Sequence, residues 1–190
     1  MAGNSYLLKP APSIMGSALL LQSVLAEAGV QQGLFSVLNA DNDAVATIIK
    51  DSRIAAVTLT GSVRAGAAIA ALAGAAVKKS VLELGGSDAF IVLADADIDA
   101  AVKGAVAGRF MNGGQVCMAA KRIIVEEAVF AEFRDKFVAA VKELVVGDPR
   151  DEATYIGPMA RFDLRDELDS QVQATIAEGA ECLLGGHVMQ

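Results

Sequence analysis

Tryptophan is absent from this 190-residue sequence, cysteine occurs twice and histidine once. Two isolated cysteines, Cys117 and Cys182, make neither a disulfide framework nor a zinc-ligand set, so a reduced, cytoplasmic setting is expected. The opening MAGNSYLLKP lacks a basic stretch followed by an apolar one, so it is not expected to be a secretory signal. The longest apolar run, the Ala/Gly stretch Ala65–Val77, is too short and too weakly hydrophobic to span a bilayer, so no membrane partner is expected. Positive charge is scarce as well: 16 Lys and Arg face 23 Asp and Glu, for a formal net charge of -7. No basic stripe is present, which argues against a nucleic-acid partner. An anionic ligand therefore needs a local positive site rather than a global field. What is plentiful is small apolar side chains. The chain is 54% hydrophobic with much alanine, enough for one large domain or parts of two.

Short apolar strands alternate with helical patterns along the first half. Ser5–Lys9 reads as a strand ending at Pro10. Ser13 is placed to cap a helix over Ile14–Ala28 that stops at Gly29. Leu34–Leu38 is a second strand, followed by the polar turn Asn39–Asp43 and a short helix over Ala44–Lys50. Ile54–Thr60 is a β-branched strand, Gly61 a turn, Ala65–Ala76 a small-residue helix and Val81–Glu83 a strand. This alternation predicts an α/β fold with a parallel sheet and helices on both faces. Gly85-Gly86 is a hinge candidate. Beyond it come a strand over Ala89–Leu93, an Asp97 cap, a helix over Ile98–Phe110, a glycine loop over Asn112–Gln115 and a strand over Lys121–Val125. Val129–Val145 is an amphipathic helix with Phe130, Phe133, Phe137, Val141 and Leu144 near one face. A last helix spans Leu164–Glu178. His187–Gln190 resembles the start of a strand, and both ends look cut from something longer.

Three places carry chemistry. Cys117 taken alone is as well explained as a small buried hydrophobe. Its context, Asn112-Gly113-Gly114-Gln115-Val116-Cys117, weakens that reading, because two glycines and two amides can present N–H groups to an oxyanion and hold a thiol open to substrate. The sole histidine, His187, lies in a Gly-rich tail, leaving a Cys–His dyad possible but a surface residue the better reading. Glu83 ends an apolar strand just before Leu84-Gly85-Gly86. It is either exposed at a strand terminus or held in a site at the carboxyl edge of a parallel sheet. Held there partly buried, its pKa would rise and it would serve as a base near neutrality. Gly61-Ser62 joins a strand to a helix, where free N–H groups attract a phosphate. A glycine turn with a serine cap explains the same residues, and the spacing matches neither a Walker loop nor a G-x-G-x-x-G fingerprint.

Together these elements resemble the aldehyde dehydrogenase superfamily over essentially the whole chain. The carriers are KPAP (Lys9–Pro12), TGSVRAG (Thr60–Gly66), LELGGSD (Leu82–Asp88) and NGGQVC (Asn112–Cys117), with GDPRDEATYIGPM (Gly147–Met159) following them. RIAAVTLTGSVRAGAAI and GPMARFDLRDEL are especially similar to bacterial succinate-semialdehyde dehydrogenases. The resemblance implies a central piece holding parts of two doubly wound, Rossmann-like α/β domains. Residues 1–84 would be the later part of an NAD(P)-binding domain and 85–190 the earlier part of the catalytic domain. It also implies roles. Cys117 attacks the aldehyde and Glu83 activates the water that releases the acid, a glutamate that acylating, coenzyme-A-dependent relatives lack. Lys9 binds the adenosine ribose, Gly61 and Ser62 approach the pyrophosphate, and the Leu84 backbone lies near the nicotinamide.

Departures from the family pattern matter too. Pro12 stands where many NAD-preferring relatives carry a glutamate, so NAD or NADP is expected as cofactor. Met111 replaces an arginine that serves carboxylate recognition, and Ala119 replaces a second cysteine used as a redox switch. The partners implied are a small-molecule aldehyde and further copies of the parent chain, as dimer or tetramer. The family's oxyanion asparagine and its nicotinamide-ribose glutamate would lie outside the chain. Little activity is therefore expected of the 190 residues alone, and a non-catalytic cofactor-binding or interaction module is the alternative.

Overall fold

The computed structural model describes residues 3–189. The chain divides into two compact units, Met1–Glu83 and Leu84–Gln190. Through the first run strand β1 (Tyr6–Leu8), a 3-10 turn (Pro12–Ile14), α1 (Met15–Glu27), β2 (Phe35–Val37), α2 (Asn42–Lys50), β3 (Ala56–Gly61), α3 (Val63–Ala75) and β4 (Lys79–Leu84), which ends at the division. The second holds β5 (Asp88–Val92), α4 (Ile98–Phe110), a 3-10 turn (Met111–Gly114), β6 (Ala120–Val125), α5 (Glu127–Lys142) and α6 (Phe162–Ala177).

The strands pair as β1 with β2, β3 with β4 and β5 with β6, giving three two-stranded sheets among the described residues. A helix connects the two strands of each pair: α1, α3 and α4 in turn. The pairs β1–β2 and β5–β6 are parallel, as such crossovers require. Alternation of elements thus predicts each local β–α–β unit correctly. It overstates their union: among the described residues the first half holds two two-stranded sheets, β1–β2 and β3–β4, where a single parallel sheet is expected. Each crossover is encoded in its own stretch, whereas joining successive units depends on strand edges that no local pattern specifies.

Helix starts follow side-chain caps at three places. The Asp41 carboxylate accepts from Ala44 N at 2.8 Å, Ser62 Oγ from Ala65 N at 3.2 Å, and Asp97 from Ala100 N at 3.0 Å. Satisfying an orphan N–H in this way fixes where the helix begins. It moves the start of α2 to Asn42 and of α3 to Val63, both earlier than hydrophobic periodicity predicts. Ser13 is not a cap. It lies inside the 3-10 turn, and α1 starts at Met15 with no side-chain cap.

Helix ends carry a second regularity. At α1, Gly29 N donates to Ala26 O and Val30 N to Leu25 O; at α6, Gly179 N donates to Ile176 O and Ala180 N to Thr175 O. These are Schellman closures with glycine in the left-handed position, at φ 83 and 102. Helix α3 closes identically, Val77 N to Gly74 O and Lys78 N to Ala73 O, but the left-handed residue is Val77 at φ 54. A β-branched residue there is strained by roughly 1–2 kcal/mol. Val77 is 94% exposed, so its side chain offers no packing in return. Val77→Gly is therefore expected to stabilise the chain by about 1 kcal/mol, read as a higher urea midpoint at unchanged slope. A lowered midpoint would refute this account of the strain.

The core that steadies the second unit is Val92, Val102, Ala105 and Phe133, joined by Phe90, Ile98, Ile123 and Phe137. Phe133 and Phe137 stack at 5.7 Å, and Lys136 of α5 bridges Asp99 of α4 and Glu132. The two carboxylates hold the Lys136 ammonium well above its usual pKa. Phe130 departs from the expected apolar face: it is 45% exposed, with the Arg134 guanidinium over its ring at 5.8 Å. The tail expected to enter a strand forms none over residues 185–189; Gln190 lies outside the described residues. No helix among the described residues is long and apolar enough to cross a membrane.

Candidate active site

Cys117 sits on the loop between α4 and β6, and it is exposed. Three consecutive residues before it are left-handed: Asn112 at φ 53, Gly113 at φ 62 and Gly114 at φ 75. Glycine takes that conformation without penalty, and asparagine tolerates it better than most. This reversal ends the helical segment and turns the chain toward β6. The loop is braced by its own amides. Asn112 Nδ2 donates to Gln115 O and Gln115 Nε2 to Asn112 O, both at 3.3 Å. Gln115 Oε1 accepts from Ala160 N at 3.2 Å. The segment carrying Ala160 thus anchors the loop from outside, after a turn in which Gly147 N donates to Ile156 O at 3.0 Å.

Beneath the loop lies Arg109, from the last turn of α4. Its Nη1 is buried without a hydrogen-bond partner among the described residues. A Cβ on Gly114 would stand 2.5 Å from Arg109 Nη1 and 3.0 Å from Arg109 O. The first clash could relax; the second is with backbone and cannot do so cheaply. Gly114→Ala is expected to cost about 1–3 kcal/mol through the clash and the left-handed φ together. A urea midpoint equal to that of the unsubstituted chain would contradict this.

The structure brings two of the sequence motifs together in the second unit. From LELGGSD, Gly86 packs on the Cys117 loop, where an added Cβ would be 3.5 Å from Cys117 O. Arg122 Nε donates to Ser87 O at 2.9 Å, and Asp88 lies opposite Ala120 in the β5–β6 ladder. The Cys117 N–H makes no hydrogen bond among the described residues, so it is free to meet a developing oxyanion. His187 is engaged elsewhere: its Nδ1 lies 3.1 Å from Gly185 O. No hydrogen bond among the described residues ties it to Cys117.

Glu83 lies on β4 and is exposed rather than partly buried. The cause is the strand period: Leu82 and Leu84 turn to the half-buried face, which places Glu83 on the other. Glu83 ends the first unit and Cys117 belongs to the second. Gly61 and Ser62 are exposed at the junction of β3, the strand paired with β4, and α3. This junction suits a phosphate. No acid lies in the first turn of α3, the N–H groups of Val63 and Arg64 have no partner among the described residues, and a Cβ added to Gly61 would meet nothing closer than 3.9 Å beyond its chain neighbours. Lys9 is half-buried just after β1, with Pro12 exposed at the start of the 3-10 turn. A lysine with no carboxylate at position 12 fits the ribose end of either dinucleotide. Among the described residues no group of three or more His, Cys, Asp or Glu side chains could hold a metal ion.

Sequence reasoning missed Arg109, whose Nη1 is buried beneath the loop, and Lys121, whose Nζ donates to Val116 O and Cys117 O at 2.9 Å. Each meets the loop through the reach of a long side chain, for which neither spacing nor hydropathy gives a signal.

All of residues 1–190 match the sequence profile of the aldehyde dehydrogenase family. The chain belongs to this family. It is 65% identical over 189 residues to the NAD(P)+ succinate semialdehyde dehydrogenase Sad of Escherichia coli (strain K12), covering 100% of this chain and 41% of that protein. A Mycobacterium avium succinate-semialdehyde dehydrogenase (NADP+) is 50% identical over 186 residues, covering 98% of this chain and 39% of the relative. The structure of the succinic semialdehyde dehydrogenase of Streptococcus pyogenes, solved with NADP+, superposes with a TM-score of 0.95 at 37% identity, over 99% of this chain and 41% of that one. This aldehyde dehydrogenase chain thus spans about two fifths of the length of the curated relatives it matches. Its fold is a mixed α/β stretch shared with that family.

Proposed function

We propose that this chain supplies the nucleophile and the base of an NAD(P)-dependent dehydrogenase that oxidises succinate semialdehyde to the free acid. The observation that carries the reading is the 65% identity to Sad of Escherichia coli along the whole chain. The exposed Cys117 on its braced loop supports it. In this reading residues 1–84 belong to a doubly wound cofactor-binding domain and 85–190 to the catalytic domain. Cys117 attacks the aldehyde carbon as thiolate, forming a C–S bond while the carbonyl oxygen takes the charge and is met by the Cys117 N–H. Lys9, Pro12, Gly61, Ser62 and the Leu84 backbone would hold NAD or NADP, which when bound would supply the hydride acceptor that the oxidation requires. The acyl group is then a thioester on Cys117. Glu83 takes a proton from water as the water attacks that carbon; the C–S bond breaks and the carboxylic acid leaves.

The test replaces the matching stretch of Escherichia coli Sad with this chain and measures NADH and NADPH formation with succinate semialdehyde. The hybrid is expected to turn over, and to prefer this substrate to butanal, which has the same chain length but no carboxylate. A folded hybrid that forms neither reduced cofactor would end the proposal. The 190 residues alone are expected to show little or no turnover.

A further inference from the structure

The ammonium of Lys121 is spent entirely on the loop that carries Cys117. Its Nζ donates to Val116 O at 2.9 Å, to Cys117 O at 2.9 Å and to Ala119 O at 3.5 Å. An ammonium has three protons to donate, so these acceptors use them all. No carboxylate lies within ion-pair distance of Lys121 among the described residues, although acids outnumber bases in the chain. The ladder between β5 and β6 shows how the side chain gets there. Asp88 pairs with Ala120 and Ala89 with Arg122, so the register skips Lys121. Such a bulge re-aims the side chain of its extra residue. Here the lysine turns back over the loop instead of following the strand alternation.

A trans peptide unit is planar, with its C=O and N–H on opposite sides. Val116 O and the Cys117 N–H belong to one such unit. Binding Val116 O therefore points the Cys117 N–H away from the lysine, and that N–H is left without a partner among the described residues. We propose that Lys121 is a positioning residue: by gathering the carbonyls of Val116, Cys117 and Ala119 it aims the Cys117 N–H at the oxygen that becomes negative when Cys117 attacks a carbonyl. This rests on the catalytic role proposed above for Cys117.

Two thiol reagents separate aim from mere reactivity. With 4-nitrophenyl acetate the thiolate adds to a carbonyl, an oxyanion forms, the C–S bond is made and 4-nitrophenolate leaves. With iodoacetamide the thiolate displaces iodide and no oxyanion forms. Both rates are measured at Cys117 in a Cys182→Ser background, since Cys182 is also exposed. Lys121→Met is expected to slow acylation about 10-fold or more, because a misaimed donor forfeits part of its oxyanion stabilisation. Alkylation should change by less than about 2-fold, and Lys121→Arg, which keeps the donors, should restore most of the acylation rate. Equal slowing with both reagents, or no slowing with either, would overturn the proposal. The NAD(P)H assay of the hybrid with unsubstituted Lys121 judges the dehydrogenase reading separately.

Discussion

Cys117→Ala in the Escherichia coli Sad hybrid is expected to lower NAD(P)H formation at least about 1,000-fold, with cofactor binding intact. Removing a covalent nucleophile removes the route, not one interaction along it. What remains is whatever hydration and binding supply unaided. Alanine keeps the Cβ and loses only Sγ, and the position is exposed, so the loop should keep its conformation. That separates this loss from the one at Gly114, where the backbone itself is disturbed. The measurement is steady-state turnover with succinate semialdehyde, beside a titration of NADPH fluorescence for binding. Retention of more than a tenth of the rate would remove Cys117 from the mechanism. Cys182→Ser is the natural companion, since it deletes the other exposed thiol and should leave turnover unchanged.

Glu83→Gln should give a different kinetic picture. Glutamine keeps the size and the hydrogen-bonding oxygen but cannot accept a proton at neutral pH. Thioester formation then proceeds once per site, and its hydrolysis stalls. Rapid mixing is expected to show a burst of about one reduced cofactor per site, followed by a steady rate lower by about 100- to 10,000-fold. A strong nucleophile that needs no base, such as hydroxylamine, should restore turnover to this variant and not to Cys117→Ala. A linear trace at a reduced rate, with no burst, would assign Glu83 to an earlier step and refute its place in deacylation.

Much of this was legible in the sequence, and the parts that were not share a cause. Helices α4 and α6 were placed within about two residues by periodicity and flanking glycine or aspartate. The loop at Cys117 was legible because glycine and asparagine mark left-handed backbone, and all three such residues lie where the motif puts them. Helix α2 starts before its hydrophobic spacing does because the Asp41 cap sets its first turn. For Glu83 the sequence leaves an exposed strand terminus and a held site both open; Leu82 and Leu84 take the half-buried face and Glu83 is exposed. Lys121 and Arg109 gave no warning at all. What they touch depends on where a long side chain ends, and for Lys121 on a register skip between strands that are distant in sequence.

The left-handed run at Asn112, Gly113 and Gly114 has a consequence for how such a gene can vary. At Gly113 and Gly114 almost every missense codon is disfavoured by backbone alone, and at Asn112 few residues other than glycine and aspartate would be comfortable. Exposed positions on either side carry no such restriction: Met111 is 51% exposed and Met118 67%. Side chains flanking the thiol can therefore be exchanged by single-base changes while the turn that presents it stays closed to drift. The surroundings of the thiol can thus vary between lineages while the backbone that presents it is kept.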